Sequence, residues 1–554
     1  MIVAEAVGRA LASLGVDTVF GVVGSGNFHV TNALRQYGAR FVAARHEAGA
    51  TTMADAYARM SGRVGVVSVH QGPGLTNAMT GLTEAAKSRT PLIVLAGEVT
   101  EPLSNFHIDQ DALARAVGAV PMRVRTAGSA VEDTVDAFRT AWQERRAVLL
   151  NLPLAVQAQT SDWSGELFGI ERAPASHTAD AGPPTGNAVA ELARMLAEAE
   201  RPVFVAGRGA RHARRELEEL ADRAGALLAT SAVARGLFRG SPWDLDVSGG
   251  FATPLAAELI TAADVLVGWG CALNMWTTRH GTLIGPETRL VQVDLDQEAL
   301  GAHRPVRLGV TGDTAVVARQ AAGILAELRV AGLLEQGPGY RSPEVAKRIA
   351  AEGRWRAVPY QDDSHDGRID PRTLTIGLDD ALPVERILSI DSGNFMGYPA
   401  AFMDVPDEQG FCFTQAFQSI GLGLATAIGA ALARPDRVPV AALGDGGALM
   451  GIAELETVAR LGLPMMIVVY DDEAYGAEVH HFTGQPMETV TFPPTDFASI
   501  ARGYGLAAVT VTEPGDLAGV SAWVSGPRDR ALLVHAKVTR DRGSWWLEEA
   551  FKGH

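Results

Sequence analysis

Cysteine is nearly missing from this sequence: Cys271 and Cys412 are the only two among 554 residues. Two thiols this far apart form neither a disulfide framework nor a metal-ligand pair, and they point to a reducing compartment, the cytoplasm. Long apolar runs are missing as well. The opening MIVAEAVGRALASLGVDTVFG is interrupted by Glu5 and Arg9, and no stretch reaches the roughly 20 apolar residues of a membrane span, so neither export nor anchoring is expected. Basic charge is in deficit, with 48 Lys and Arg against 64 Asp and Glu and a formal net charge of −16. That balance sets up no global field for nucleic acid or an anionic lipid surface, and neither is expected as a partner. With 28 prolines and no low-complexity period, fibre and disorder are excluded, and the 60 glycines read as local turn and ligand-loop devices.

What the sequence does contain is alternation. At about 100–200 residues per domain the length predicts three or four domains. Over residues 1–160, the β-branched runs VDTVFGVV, RFVAA, RVGVVSVH, PLIVLAGE and RAVLLNLP are separated by Ala-rich helical patterns, which means a parallel sheet covered on both faces. The polar stretch Gln157–Gly186 reads as a linker. A helix over Asn187–Glu200 and the strands PVFVAGRGA, ALLATSAVA, DVLVGWGCAL and RLVQVDLD make a central unit over residues 187–330. A second connection follows with one helix at Glu344–Ala351, and RILSIDSG, VPVAALGD, LPMMIVVYDD and ALLVHAKV then build a third unit over residues 370–554. The expected fold class is α/β, with three doubly wound parallel-sheet domains.

The sharpest motif lies in the third unit, VPVAALGDGGALMGIAELETVARLGLPMMIVVYDDEAYG. A strand is expected to end at Leu443, Gly444-Asp445-Gly446-Gly447 to turn the chain, and a helix to run from about Leu449 to Leu461. Glycines let backbone approach an anion, and free N–H groups at a helix start favour phosphate. Asp445 adds a hard oxygen of the kind Mg²⁺ takes alongside phosphates. A second strand then delivers Asp471 and Asp472, so both acids fall at carboxyl ends of strands, where open α/β sheets bind ligands. A bare Gly-Asp-Gly is a weak signal, and the 27 positions from Asp445 to Asp472 sharpen it.

With that spacing the segment resembles the thiamine diphosphate (ThDP) motif of the acetolactate synthase and 2-oxoacid decarboxylase family. The resemblance implies that Asp445, Asp472 and the carbonyl of Ala474 bind Mg²⁺ and that Gly444, Gly446, Gly447 and Tyr475 lie against the cofactor. Asp471-Asp472 stands where the family has an Asn pair, which adds negative charge beside a diphosphate. In the first unit, RHEAG around Glu47 resembles the block carrying the glutamate that hydrogen-bonds the pyrimidine and activates the cofactor. The turn HQGPGLTNAMTGL places Gly72, Gly74 and Asn77 nearby. FTQAFQSIGLGLATAIGA resembles the segment whose bulky side chain props the bent cofactor and puts Ile420 there.

Around the reacting carbon, GSGNFHV puts Ser25, Asn27, Phe28 and His29 near the substrate. Ser25 and His70 match positions where benzoylformate decarboxylase has a serine and a catalytic histidine, and a histidine suits proton transfer near neutrality. Glu478, six positions after Asp472, matches an acid of pyruvate decarboxylase. Gln110 resembles the family glutamine that reaches toward the reacting centre, while His480 and His481 share the helix after Tyr475 and leave open which faces the pocket. The family binds FAD in the central domain of acetolactate synthases, but GWGCALN does not reproduce the flavin-contacting pattern, so FAD is not expected. The activity implied is an acetolactate synthase-like carboligase, which passes an acyl-anion equivalent from a decarboxylated 2-oxoacid to a carbonyl acceptor. A non-oxidative decarboxylase releasing an aldehyde is the rival, and a non-catalytic ThDP-fold binding protein is the alternative of another class. A homodimer or homotetramer is implied, with the first domain of one subunit facing the third of another.

Overall fold

Eighteen strands gather into three separate parallel sheets in a computed structural model that describes residues 1–163, 186–331 and 339–550. The first sheet contains β1 (Thr18–Gly21), β2 (Arg40–Ala43), β3 (Gly65–Val69), β4 (Leu92–Glu98), β5 (Val120–Arg123) and β6 (Ala147–Pro153), in the order β2-β1-β3-β4-β6-β5. The second contains β7 (Pro202–Ala206), β8 (Leu227–Thr230), β9 (Asp244–Val247), β10 (Val265–Trp269), β11 (Arg289–Asp294) and β12 (Leu308–Thr311), in the order β12-β11-β10-β7-β8-β9. The third contains β13 (Arg386–Ile390), β14 (Phe411–Cys412), β15 (Val438–Gly444), β16 (Met466–Asp471), β17 (Ala507–Val511) and β18 (Leu532–Lys537), in the order β14-β13-β15-β16-β18-β17. Inner strands such as β4, β6 and β16 are buried along their whole length, the signature of a sheet covered by helices on both faces.

Five strands lie outside the runs picked from sequence: β5, β9, β12, β14 and β17. All five are edges of their sheets. An edge strand buries less of itself, so VPMR or AAVTV does not stand out as an apolar run. The helices at Gly186–Glu198 and Pro343–Glu352 fall where expected. Residues 164–185 of the expected linker, and 332–338 of the second connection, lie outside the described residues. No helix among the described residues is long and apolar enough to cross a membrane.

The central sheet has the strand order of dinucleotide-binding folds. At its switch point, however, the N–H groups of Gly207 and Gly209 donate to the carbonyls of Trp269 and Gly270, at 2.8 and 3.1 Å. Those donors are committed to the end of β10 and not to a phosphate. Arg208, between them, leaves the turn and donates to the carbonyl of Ser88 in the first unit.

The first and third units meet through two helices rich in small residues, Glu47–Ser61 and Gly423–Ala433. Gly429 lies so close to Met53 that a β-carbon there would fall inside the Met53 carbonyl. The contact fixes the helix that begins at Glu47 against the helix that follows Ile420.

Candidate active site

Strand ends place the chemistry. In the third sheet the order reverses between β13 and β15, and the loops leaving them carry Asp391 and Gly444–Asp445, while β16 ends in Asp471. A cavity of about 450 Å³ opens there. It gathers all nine candidates expected from the third unit: Ile420, Gly444, Asp445, Gly446 and Gly447 on one side, and Asp472, Ala474, Tyr475 and Glu478 on the other. The helix after the glycine turn begins at Asp445, earlier than the expected Leu449. It runs to Met450, and a second helix covers Glu454–Leu461. Gly446 and Gly447 are sterically required: a β-carbon on Gly446 would lie 2.5 Å from the Tyr475 ring, and one on Gly447 would collide with the Asp391 carboxylate.

Asp445 and Asp472 are both buried and face each other within hydrogen-bonding reach. Burial, reinforced in Asp445 by the charges of Asp472 and Asp471, pushes both carboxyls above the usual range. Two enclosed carboxyls this close, each raised first of all by burial, suit a divalent cation by their chemistry. Among the described residues no cluster of three His, Cys, Asp or Glu side chains could hold a metal. Two carboxylates, a main-chain carbonyl at Ala474 and ligand phosphates make the hard-oxygen set that suits Mg²⁺. Glu473, between them, has a left-handed backbone (φ 58°) and is held by Arg368 at 2.7 Å. Non-glycine residues of that kind concentrate at functional sites.

The extra acid of the pair turns out to face elsewhere. Asp471 does not line the cavity; its Oδ2 accepts from His535 Nε2 at 2.7 Å and Lys537 Nζ at 2.6 Å. Burial opposes its charge, but these two donors outweigh burial and hold the carboxyl below its ordinary value. Asp471 thus offers no oxygen to the cavity, although its charge still reaches Asp445 and Asp472. A depressed carboxyl contributes stability above its unfolded pKa of about 4 and loses it as pH falls through the folded value. Asp471→Asn is expected to cost about 1–3 kcal/mol at neutral pH and to flatten the loss of stability on the acid side, which urea unfolding across pH would show.

The first unit assembles a second group. Ser25 follows β1 and His70 follows β3, again at the point where strand order reverses. His70 Nδ1 lies 2.9 Å from the Gln71 carbonyl, which can only accept, so Nδ1 carries the hydrogen. The Nε2 lone pair then faces Ser25 Oγ at 3.4 Å. Glu47 opens its helix and is 8% exposed, with Asn77 Nδ2 donating to its Oε2 at 3.0 Å. Gly74 is flanked by both functional groups, since its β-position lies 3.1 Å from His70 Cβ and 3.3 Å from Glu47 Oε1. Gly72 caps the helix Pro73–Lys87 with φ 65°, and Phe106 packs edge-on against the His70 ring at 5.4 Å.

Other candidates are turned elsewhere. Asn27 is fully buried and braces the turn, accepting from Gly24 N–H and donating to Val22 and Ser68. Gln110 is 2% exposed and donates to Asn151 at 2.7 Å, so its amide is spent inside the first unit. Phe28 and His29 are exposed on the next helix. Neither His480 nor His481 lines the cavity, where Ala477 and Glu478 of the same helix do. Sequence reasoning missed Asp391, although an acid at the end of a strand was the signal used for Asp445. It also missed Glu454, whose Oε1 accepts from the N–H groups of Arg45 and His46 just before Glu47.

The comparisons with known proteins cover all three units. The family described as "Thiamine pyrophosphate enzyme" matches with its N-terminal TPP binding domain over residues 1–115, its central domain over 189–321 and its C-terminal TPP binding domain over 391–535. A probable 2-ketoarginine decarboxylase from Pseudomonas aeruginosa is 31% identical over 93% of this chain and 89% of its own. A sulfoacetaldehyde acetyltransferase from Castellaniella defragrans is 27% identical over 93% and 88%. The acetolactate synthase isozyme 2 large subunit of Escherichia coli is 25% identical over 98% and 97%. The three sheets, the paired acids beside a glycine turn and the matches along the whole length agree, and the chain belongs to the thiamine pyrophosphate enzyme family.

Proposed function

We propose that this enzyme is a non-oxidative 2-oxoacid decarboxylase that uses ThDP and Mg²⁺ and releases an aldehyde and CO₂. The observation that carries the reading is His70, set beside Glu47 with its Nε2 lone pair toward Ser25. ThDP, when bound, supplies the electron sink that lets a 2-oxoacid lose CO₂. Asp445, Asp472 and the Ala474 carbonyl would hold the metal, and Ile420 would lie against the cofactor. Glu47 holds a proton at the pyrimidine. His70, once Nε2 has taken a proton from solvent, would pass it through Ser25 Oγ to the substrate carbon, and Glu478, which lines the cavity, would serve as a second acid. Among the described residues no lysine or arginine lines the cavity. FAD has no part in the proposal.

No residue of the first unit lines the cavity. Glu47 and Asp445 work on one cofactor only when a second copy brings its first unit to the cavity, so a homodimer, or a pair of dimers, is part of the proposal. A carboligase is the second reading, supported by the acetyltransferase and acetolactate synthase relatives. A panel of 2-oxoacids, each with and without an aldehyde or 2-oxoacid acceptor, separates the two by mass spectrometry of products. Aldehyde without ligation product supports decarboxylation, and ligation product as the main species sinks it. On the substrate that the panel identifies, His70→Ala is expected to lower kcat about 100-fold or more with little change in ThDP affinity.

A further inference from the structure

The turn that carries Ile420 to the cavity does not hold itself. Gln418 has a left-handed backbone (φ 62°), Gly421 has φ 88°, and Phe417 is 45% exposed. Strain of this kind persists only when surrounding structure imposes it. Two fully enclosed carboxylates stand at its ends. Upstream, Glu84 reaches across from the first unit: its Oε1 accepts from Ala416 N–H at 3.0 Å and its Oε2 from Phe417 N–H at 2.6 Å. Arg59 neutralises it at 2.8 Å and extends the link by donating to the Phe413 carbonyl at 2.8 Å. Downstream, both oxygens of Asp391 accept from Gly421 N–H, at 3.1 and 2.9 Å, and the same carboxylate abuts Gly447 of the glycine turn.

We propose that Glu84 and Asp391 are positioning residues that grip the Phe417–Ile420 turn from its two ends and set Ile420 against the cofactor. Neither touches the cavity; each acts through main-chain N–H groups. Glu84 makes the placement of Ile420 depend on the first unit, and Asp391 ties it to the turn that receives the diphosphate. The inference rests on the reading of Ile420 as the side chain that supports bound ThDP.

The test is a double-mutant cycle on the ThDP- and Mg²⁺-loaded enzyme, reading ThDP affinity by calorimetry together with kcat. Glu84→Gln puts an amide N–H against the Phe417 N–H and is expected to weaken ThDP binding and lower kcat about tenfold, with native circular dichroism. In an Ile420→Ala background, the same change is expected to cost less than about twofold, because the side chain being positioned is gone. Equal losses in both backgrounds would mean a merely structural role and overturn the proposal. Asp391→Asn in the same two backgrounds gives an independent cycle with the same expected outcome, and it decides the matter if Glu84→Gln does not fold. Wild type that binds ThDP and turns over while both cycles are additive sinks the positioning role alone. Wild type that binds no ThDP sinks the reading of the site as well.

Discussion

Glu47→Gln is expected to leave a folded protein that still takes up ThDP and Mg²⁺ and has lost about 100- to 10,000-fold in kcat. The substitution keeps the shape, and Asn77 Nδ2 can donate to the amide oxygen as it does to the carboxylate. The main-chain braces from Glu454 to Arg45 and His46 are untouched, so the start of the helix stays in place. What is lost is a group able to hold and release a proton. The check is steady-state turnover on the best 2-oxoacid of the panel, with calorimetric ThDP binding and circular dichroism alongside. Undiminished turnover would remove Glu47 from the mechanism.

The second large effect runs in opposite directions with and without ligand. Asp445→Asn removes a buried carboxyl that burial and the charges of Asp472 and Asp471 push up to about 8. In the absence of metal this relieves a repulsion between enclosed charges, and the variant is expected to melt higher than wild type. With Mg²⁺ and ThDP the order reverses. Wild type gains stability in proportion to the logarithm of ligand over Kd, whereas the variant has lost a charged ligand and gains little. Thermal melts of both proteins with and without Mg²⁺ and ThDP would show the crossing. A variant shifted by ligand as far as wild type would show that Asp445 is not a metal ligand.

These residues are legible because each belongs to a short contiguous motif just after a strand. The strand pattern puts Asp445, Asp472 and Glu47 at strand ends, and the resemblance of their motifs to the thiamine diphosphate family implies their roles. Asn27 and Gln110 carry the same kind of signal, but residue type does not show which way a side chain turns, and both spend their amides on their own unit. Asp471 reads from sequence only as one half of an acidic pair with Asp472, because its partners, His535 and Lys537, lie more than 60 positions away. Glu84 was invisible for the same reason: the N–H it holds is 332 positions distant. Inner strands announce themselves as apolar runs, whereas five of the six edge strands do not.

The first and third sheets share one strand order, with the second strand at one edge and the fifth at the other. The loop after the third strand is His70-Gln71-Gly72 in one and Asp445-Gly446-Gly447 in the other. The two sheets therefore present equivalent loops at equivalent switch points. On the proposed reading the loops divide the labour, one serving proton chemistry and the other a cation. A cofactor with a heterocycle at one end and a diphosphate at the other is a natural ligand for such a pair of equivalent halves. Mutations in equivalent loops of the two halves should accordingly fall into separate phenotypes, lost turnover in the first and lost cofactor retention in the third.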